Sequence, residues 1–402
     1  SALGITASAA RGLDAAATSA AGDTVVAAAM NAILVTGGGK ATEMAEQVQG
    51  SQDGLGATSG AATASTGAAA ISVGSSRMAA LRSGTAYASL QGTGFNAGSG
   101  QSNDAYASTF GTGFSAGSGI TTNSMWMKPF VSFGDQQKRK GIAGYQADTY
   151  GLAIGGDKKI TENSIAGLSV SYAQTDVDGK GAGNSHSDIA SYQVTAYGDY
   201  TRNDWYVEGL VGYAYNDLKT SRTISVTDAK AKGDTDSGQY MVSLNAGMPM
   251  KIDGDSGAYF TPTIGVNVTH VDNKEYTETG AGVLNLKINP EDITLAKASL
   301  GGRLHTSLDS SDGIFVPELR VKLLYDMAGD DGSSTNTFTG GGAAFQVDGL
   351  DVVEFSSSVG LGLAFSPNDK DMEGMSFSVN YDAEIKEDFM GQSGNFSFRY
   401  AF

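Results

Sequence analysis

Gly113-Phe-Ser-Ala-Gly117 matches the G-x-S-x-G elbow that exposes a serine for acyl transfer. That chemistry needs a strained strand–turn–helix and a base within reach of the hydroxyl. Here the serine sits in Gly/Ser-rich chain, and an upstream copy of the stretch, Gly92 to Gly100, has Asn96 in its place. Composition explains the match better than catalysis does. His186, His270 and His305 lie far apart in the chain without H-E-x-x-H spacing, so wall or loop positions are expected of them. Acidic pairs at Asp176/Asp178, Asp234/Asp236, Asp253/Asp255 and Asp330/Asp331 resemble half of a calcium loop. None continues to the bidentate glutamate at the twelfth position, so solvated turns are the better reading. With no cysteine, thiolate catalysis, disulfides and Cys-based metal sites are excluded. We therefore expect no enzyme, and assign no catalytic residue, metal or cofactor.

A second set of polar side chains has a spacing that does suggest a role. Lys128, Glu208, Asn245, Lys297, Arg303, Glu318, Arg320, Lys322, Asp382 and Arg399 fall in apolar/polar runs of period two, on the face opposite the large apolar residues. Charges on that face suit a wet wall that tunes ion passage or grips a plug. For any one of them, simple solvation of the wall is the plainer reading.

The runs that position them are strands. Leu168, Val170 and Tyr172 alternate with Ser169, Ser171 and Ala173, and Tyr192, Val194, Ala196 and Tyr200 with Gln193, Thr195 and Asp199. Twelve such runs can be drawn: 124–135, 145–158, 164–177, 188–202, 204–219, 238–252, 257–272, 292–308, 314–329, 351–366, 374–388 and 392–402. Short connections such as 159–163 and 309–313 alternate with long ones at 178–187, 220–237, 273–291 and 330–350. An even strand number with turns at one end and loops at the other is the layout of an outer-membrane barrel, and most runs exceed the roughly 9–11 residues needed to cross. A soluble sandwich predicts neither that alternation nor an apolar face edged by Tyr, Trp and Phe. The pattern predicts a 12-stranded antiparallel transmembrane β-barrel over 124–402, with lipid outside and water or protein inside. Twelve strands leave a lumen about wide enough for one helix of roughly 10 Å diameter.

Residues 1–123 differ in character. They carry four basic residues, Arg11, Lys40, Arg77 and Arg82, among Ala, Gly, Ser and Thr. Helix is expected near 6–21, 23–36, 41–49 and 68–82, with Asp23 capping the second. These residues, 1–90, form an Ala/Gly-rich linker, a plug for the pore or a passenger remnant. Residues 91–123 hold the tandem repeat and read as a tether with Phe95 and Phe114 as anchors. No signal-peptide pattern opens the chain, as expected of a processed form. The longest apolar stretch, Val25 to Val35, is too short for the ~20 residues of a spanning helix. The net charge of −17 argues against a nucleic-acid partner, which would need clustered Lys and Arg.

Met125-Trp-Met-Lys-Pro-Phe130, Gly144 to Gly151, Tyr192 to Gly198, Tyr276 to Gly280, Pro317 to Arg320, Phe338 to Phe345 and the end from Tyr381 to Phe402 follow in this order. Together they resemble the translocator domain of monomeric (type Va) autotransporters, and Arg77-Met-Ala-Ala-Leu-Arg82 is similar to the linker before such barrels. The resemblance implies a barrel in the bacterial outer membrane, a helix through the pore, and export of an N-terminal passenger to the cell surface. It also implies that the terminal strand, with Phe398, Tyr400 and Phe402, is read by the barrel-assembly machinery, and a monomer is favoured. Two features depart from the pattern. No recognisable passenger lies among the first 123 residues, so it is expected upstream or cleaved off. No Asn-Asn pair occurs, so the junction of the self-cleaving branch is missing. The alternative is a stand-alone outer-membrane pore or structural surface protein, its N-terminal segment a plug or decoration.

Overall fold

The computed structural model describes residues 123–401, apart from 141, 203, 253–256, 331 and 351, together with residues 40, 43, 44, 47, 48, 75, 77 and 78. Most of the segments 1–90 and 91–123, the tandem repeat and Phe402 therefore lie outside the described residues. The eight described upstream residues have helical backbone.

Twelve long strands form one closed antiparallel sheet: β1 (Asn123–Gln136), β2 (Tyr145–Thr161), β3 (Ser164–Gly179), β4 (His186–Arg202), β5 (Trp205–Ile224), β6 (Ala229–Gly247), β7 (Ala258–Asn273), β8 (Ile293–Thr306), β9 (Gly313–Gly329), β10 (Phe355–Pro367), β11 (Met375–Lys386) and β12 (Phe389–Ala401). Each pairs with its sequence neighbours, and β12 returns to pair with β1. Closure is what lipid demands, because an open edge would strand backbone groups where no water can reach them, at several kcal/mol each.

The alternation of side chains explains why these sequences choose this form. Leu168, Val170, Val194, Val211, Val242, Leu244 and Ile264 are each half or more exposed on the outer face. In water so much exposed aliphatic surface would drive aggregation; against acyl chains it costs nothing. The band is edged by aromatic pairs. Tyr172–Tyr192 and Tyr213–Tyr240 lie toward the long connections, each pair 5.2 Å apart, and Tyr200–Trp205 lies toward the short turns at 5.7 Å. Such girdles belong at the two lipid–water interfaces.

Two expectations need correction. The long loop expected at 220–237 is mostly strand: β5 runs to Ile224, β6 starts at Ala229, and they pair from Ile224↔Ala229 onward. The hairpin stands beyond the lipid band, where Lys, Arg, Thr and Asp outside are hydrated, so it lacks the apolar alternation that marks a spanning strand. Nor do the large apolar residues all keep to the face opposite the wall charges. Trp126, Phe130, Tyr197 and Tyr206 are buried on the same strand faces as Ser124, Lys128, Asp199 and Glu208.

The long connections are not loose either. Short strands at Tyr276–Thr277, Leu286–Pro290, Ser334–Phe338 and Phe345–Val347 form a four-stranded sheet of their own. Leu284, Leu286, Ile288, Phe338 and Phe345 close a small apolar core there against Ile224 and Ala231 of the β5–β6 hairpin. This cap lies at the end opposite the short turns. It lies outside by the rule that turns face the periplasm and long loops the exterior.

Candidate translocation pore

The inner wall is built by glycine as much as by charge. Across the β1–β2 pair, Trp126 lies opposite Gly155 and Phe130 opposite Gly151. A Cβ on Gly155 would stand 2.4 Å from the Trp126 ring, and one on Gly151 2.2 Å from Phe130. The rings occupy the space that side chains on the neighbouring glycines would fill, as when an aromatic covers a bare strand position. Gly167 makes the same room for Tyr197, and a Cβ on Gly360 would meet Asp382 at 2.0 Å. Small residues on the inner face thus let large side chains lie along the wall instead of standing across the lumen.

Near the short turns, an upstream residue enters this wall. Arg77 donates from Nε to Asp157 Oδ2 at 2.7 Å, and from Nη2 to Asp157 Oδ1 at 2.9 Å and Ser124 Oγ at 2.7 Å. Ser124 Oγ donates to Asp157 Oδ1 at 2.5 Å, Tyr197 Oη to Asp157 Oδ2 at 3.0 Å, and Trp126 Nε1 to Tyr197 Oη at 2.7 Å. Arg77 and Asp157 are both buried, a bidentate pair with the carboxylate's spare lone pairs filled by hydroxyls. Met78, fully buried, packs with Trp126, Phe130, Ala153, Tyr197, Leu210 and Met241 inside the barrel.

A second network crosses the opposite wall. Glu318 on β9 binds both Arg303 of β8 and Arg320 of its own strand. Arg320 Nη2 reaches Asp382 Oδ2 at 2.9 Å and its Nη1 reaches Asn380 Oδ1 at 3.1 Å, both on β11. Asn380 Nδ2 donates on to Asn395 of β12 at 3.2 Å. Lys297 meets Glu384 at 3.2 Å, and Asn245 donates to Glu208 at 3.2 Å. Of the residues singled out from the sequence, Arg303, Glu318, Arg320 and Asp382 come together; Lys297, Glu208 and Asn245 join smaller groups. Lys128 lies buried with its Nζ 5.8 Å from the Trp126 ring. Lys322 sits opposite Gly301, and Arg399 is buried opposite Trp126 and Ser376.

The outer end holds the other upstream contact. Arg222 donates from Nε and Nη2 to the two oxygens of Glu278 at 2.9 and 2.8 Å, with both side chains buried. Its Nη1 also donates to the carbonyl of Gln47 at 2.5 Å. Val48 is fully buried in the cap core, with Met44 beside it.

The sequence reading missed Arg77 with Asp157, and Arg222 with Glu278. Asp157 shares its strand face with Gly155 and Gly151, so alternation alone could have placed it inside. No local signal pairs it with Arg77, 80 positions away. Among the histidines, His186 lies between Asp178 and Asp188, His270 bonds Thr294, and His305 stacks on Tyr259. No group of three or more His, Asp or Glu side chains placed to hold a metal occurs among the described residues.

A closed twelve-stranded sheet with an aromatic-edged apolar exterior and upstream chain inside its polar lumen defines an outer-membrane β-barrel. The family model described as the autotransporter beta-domain matches residues 125–382, so this chain belongs to that family. The chain is 25% identical over 292 residues to outer membrane protein A of Rickettsia conorii, a match covering 69% of this chain and 14% of that relative. It thus spans only a small part of the curated relatives it matches. Its fold is similar to the translocator domain of autotransporter NalP from Neisseria meningitidis, with TM-score 0.56, 16% identity, and coverage of 71% of this chain and 90% of that one. The beta domain of the Bordetella autotransporter BrkA is similar at TM-score 0.52 and 16% identity, covering 70% of this chain and all of that one. The barrel resides in the bacterial outer membrane.

Proposed function

We propose that this barrel exports the polypeptide upstream of it and holds that polypeptide at the cell surface. The observation that carries the reading is the order of two contacts. Gln47 and Val48 bind the outer cap, whereas Arg77 and Met78, later in the chain, bind the inner wall near the periplasmic turns. Along the chain the outer contact thus comes first and the inner contact second, the order expected of a polypeptide exported ahead of the barrel. The sequence before Ser124 holds no apolar stretch long enough to cross lipid as a helix, so the lumen is the route we assign to it. The role is conduit and anchor, with no catalytic step assigned. The last strand, carrying Phe398 and Tyr400 on its lipid face, is the element offered to the barrel-assembly machinery; Phe402 lies outside the described residues.

The test is a foreign epitope fused before Ser1 and expressed in a Gram-negative host. Antibody labelling of intact cells is expected. A barrel that assembles while the epitope stays inaccessible would end this reading.

A further inference from the structure

The inner wall is divided by charge. Strands β8–β12 carry ten charged side chains, six cations and four carboxylates, and alternation sets all ten on the inner face. Three of the carboxylates are matched within the wall: Glu318 by Arg303 and Arg320, Asp382 by Arg320, and Glu384 by Lys297. The fourth, Asp326, stands directly opposite Lys297. Lys322 and Lys386 lie outside these pairs. Lys322 has Gly301 and Ser358 as its cross-strand neighbours, and Lys386 Nζ stands 4.6 Å from the centroid of the Phe389 ring. A Cβ on Gly301 would meet Lys322 Cγ at 2.8 Å, so the lysine stem runs along the wall over a bare position.

The other half of the wall differs. Thr149, Thr175, Ser191, Gln193, Thr195 and Asn216, on β2–β5, are uncharged and buried, and the inward carboxylates of that half, Asp157, Asp199 and Glu208, are buried too. Arg77 and Met78 make their contacts on that side, with β1 to β6. On the charged side, Lys297, Glu384 and Asp382 keep 28, 30 and 37% of their side-chain surface exposed. An inward side chain of a closed sheet meets solvent within the lumen, so the charged half borders open space.

We propose that the barrel conducts small inorganic anions along the β8–β12 wall, past Lys386 and Lys322, as a function separate from export. Charged side chains that line a pore select the sign of the permeating ion, and low-dielectric walls focus their field on the lumen. Here the carboxylates are held by arginine and lysine, so the surplus cations set the field that a passing ion meets. A unit charge about 5 Å from an ion in water changes that ion's local concentration about fourfold.

The test is the zero-current potential of the full chain in planar bilayers under a KCl gradient. Chloride is expected to pass in preference to potassium. Lys322→Gln should lower the chloride-to-potassium permeability ratio by about fourfold or more, and Lys322→Glu should reverse the preference. Lys386→Gln should lower the ratio as well. Lys219→Gln, on the outward face of β5, should leave it unchanged. Heat-modifiable migration on gels establishes that each variant is folded. A parent that passes no current or prefers potassium would overturn the proposal, as would a folded Lys322→Glu barrel that still prefers chloride. A shift from Lys219→Gln as large as that from Lys322→Gln would assign the selectivity to the outer surface and overturn the wall path. Surface labelling of the epitope before Ser1 reads export independently, so a labelled barrel without anion preference removes this inference alone.

Discussion

Pro129 of β1 stands opposite Phe396 of β12 at the one interruption in the ladder that closes the barrel. Pairing runs from Ser124↔Ala401 to Met127↔Phe398, resumes at Phe130↔Asn395, and skips the two positions between. A proline has no N–H to give, and in a central strand it removes a ladder bond. On its other edge Pro129 faces Leu152, where the β1–β2 ladder is unbroken. The missing bond is thus confined to the closing seam, and it falls within the lipid-facing part of the strand.

Pro129→Ala restores the donor to Phe396. A net backbone bond is worth about 1 kcal/mol, and more where the carbonyl would otherwise meet hydrocarbon. Loss of proline's stiffness in the unfolded chain offsets roughly 0.4–1 kcal/mol of that. The variant is expected to unfold at a higher temperature in a heat-modifiability series. An unchanged or lower midpoint would show that the gap costs the seam nothing.

Gly155→Val forces a side chain into the Trp126 ring. Overpacking of this kind costs typically 1–3 kcal/mol, and the barrel should lose heat resistance accordingly. Trp126→Ala vacates the space at a cost of its own, so the double variant should be less destabilised than the two single losses summed. If the double variant is as weak as the sum of the singles, the ring and the glycine do not share that space.

Arg77→Met leaves Asp157 buried with only hydroxyl donors. Removing one partner of a buried ion pair costs about 3–5 kcal/mol, and here that loss falls on the hold of the upstream segment in the lumen. Frequent channel openings in bilayers are expected, and Asp157→Asn in addition should suppress them.

His186 lies at the outer end of β4, six residues beyond the Tyr192 girdle and clear of the lipid band. Partial burial pulls its pKa down, but the Asp178 hydrogen bond and the charges of Asp188 and Asp178 outweigh this and raise it above the ordinary 6.5. A raised folded value means the contact stabilises the protonated state: the contribution is complete below pH 6.5 and disappears as pH rises through the folded pKa. Asp178→Asn should therefore move the imidazole midpoint down in an NMR titration. A midpoint that stays in place would remove Asp178 as the cause.

The membrane-crossing part of this fold was legible because lipid imposes one rule on every strand. Val170 and Ser171, or Val194 and Thr195, must go to opposite faces whichever neighbour they pair with, so alternation reads through without knowledge of the tertiary structure. Where that rule stops, legibility stopped too. Lys219 to Ile224 is strand because Ala229 to Asp234 pairs with it, and nothing in either stretch alone says so. The wall charges Arg320 and Asp382 could be placed inward from periodicity, but their meeting depends on β10, whose Gly360 leaves them space, lying between β9 and β11. Arg77–Asp157 and Arg222–Gln47 join chain separated by 80 and 175 positions, and only the closed barrel brings them together.

Tyr192 and Tyr200 are eight residues apart on β4, one in each girdle. At about 3.3 Å per residue and a tilt of roughly 40°, the oily belt between them is on the order of 20 Å tall. A bilayer of average hydrocarbon thickness, about 30 Å, would have to thin itself to match it, and the bacterial outer membrane is already thinner than average. The spacing of two tyrosines thus sorts the protein: mismatch penalises residence in a thicker membrane.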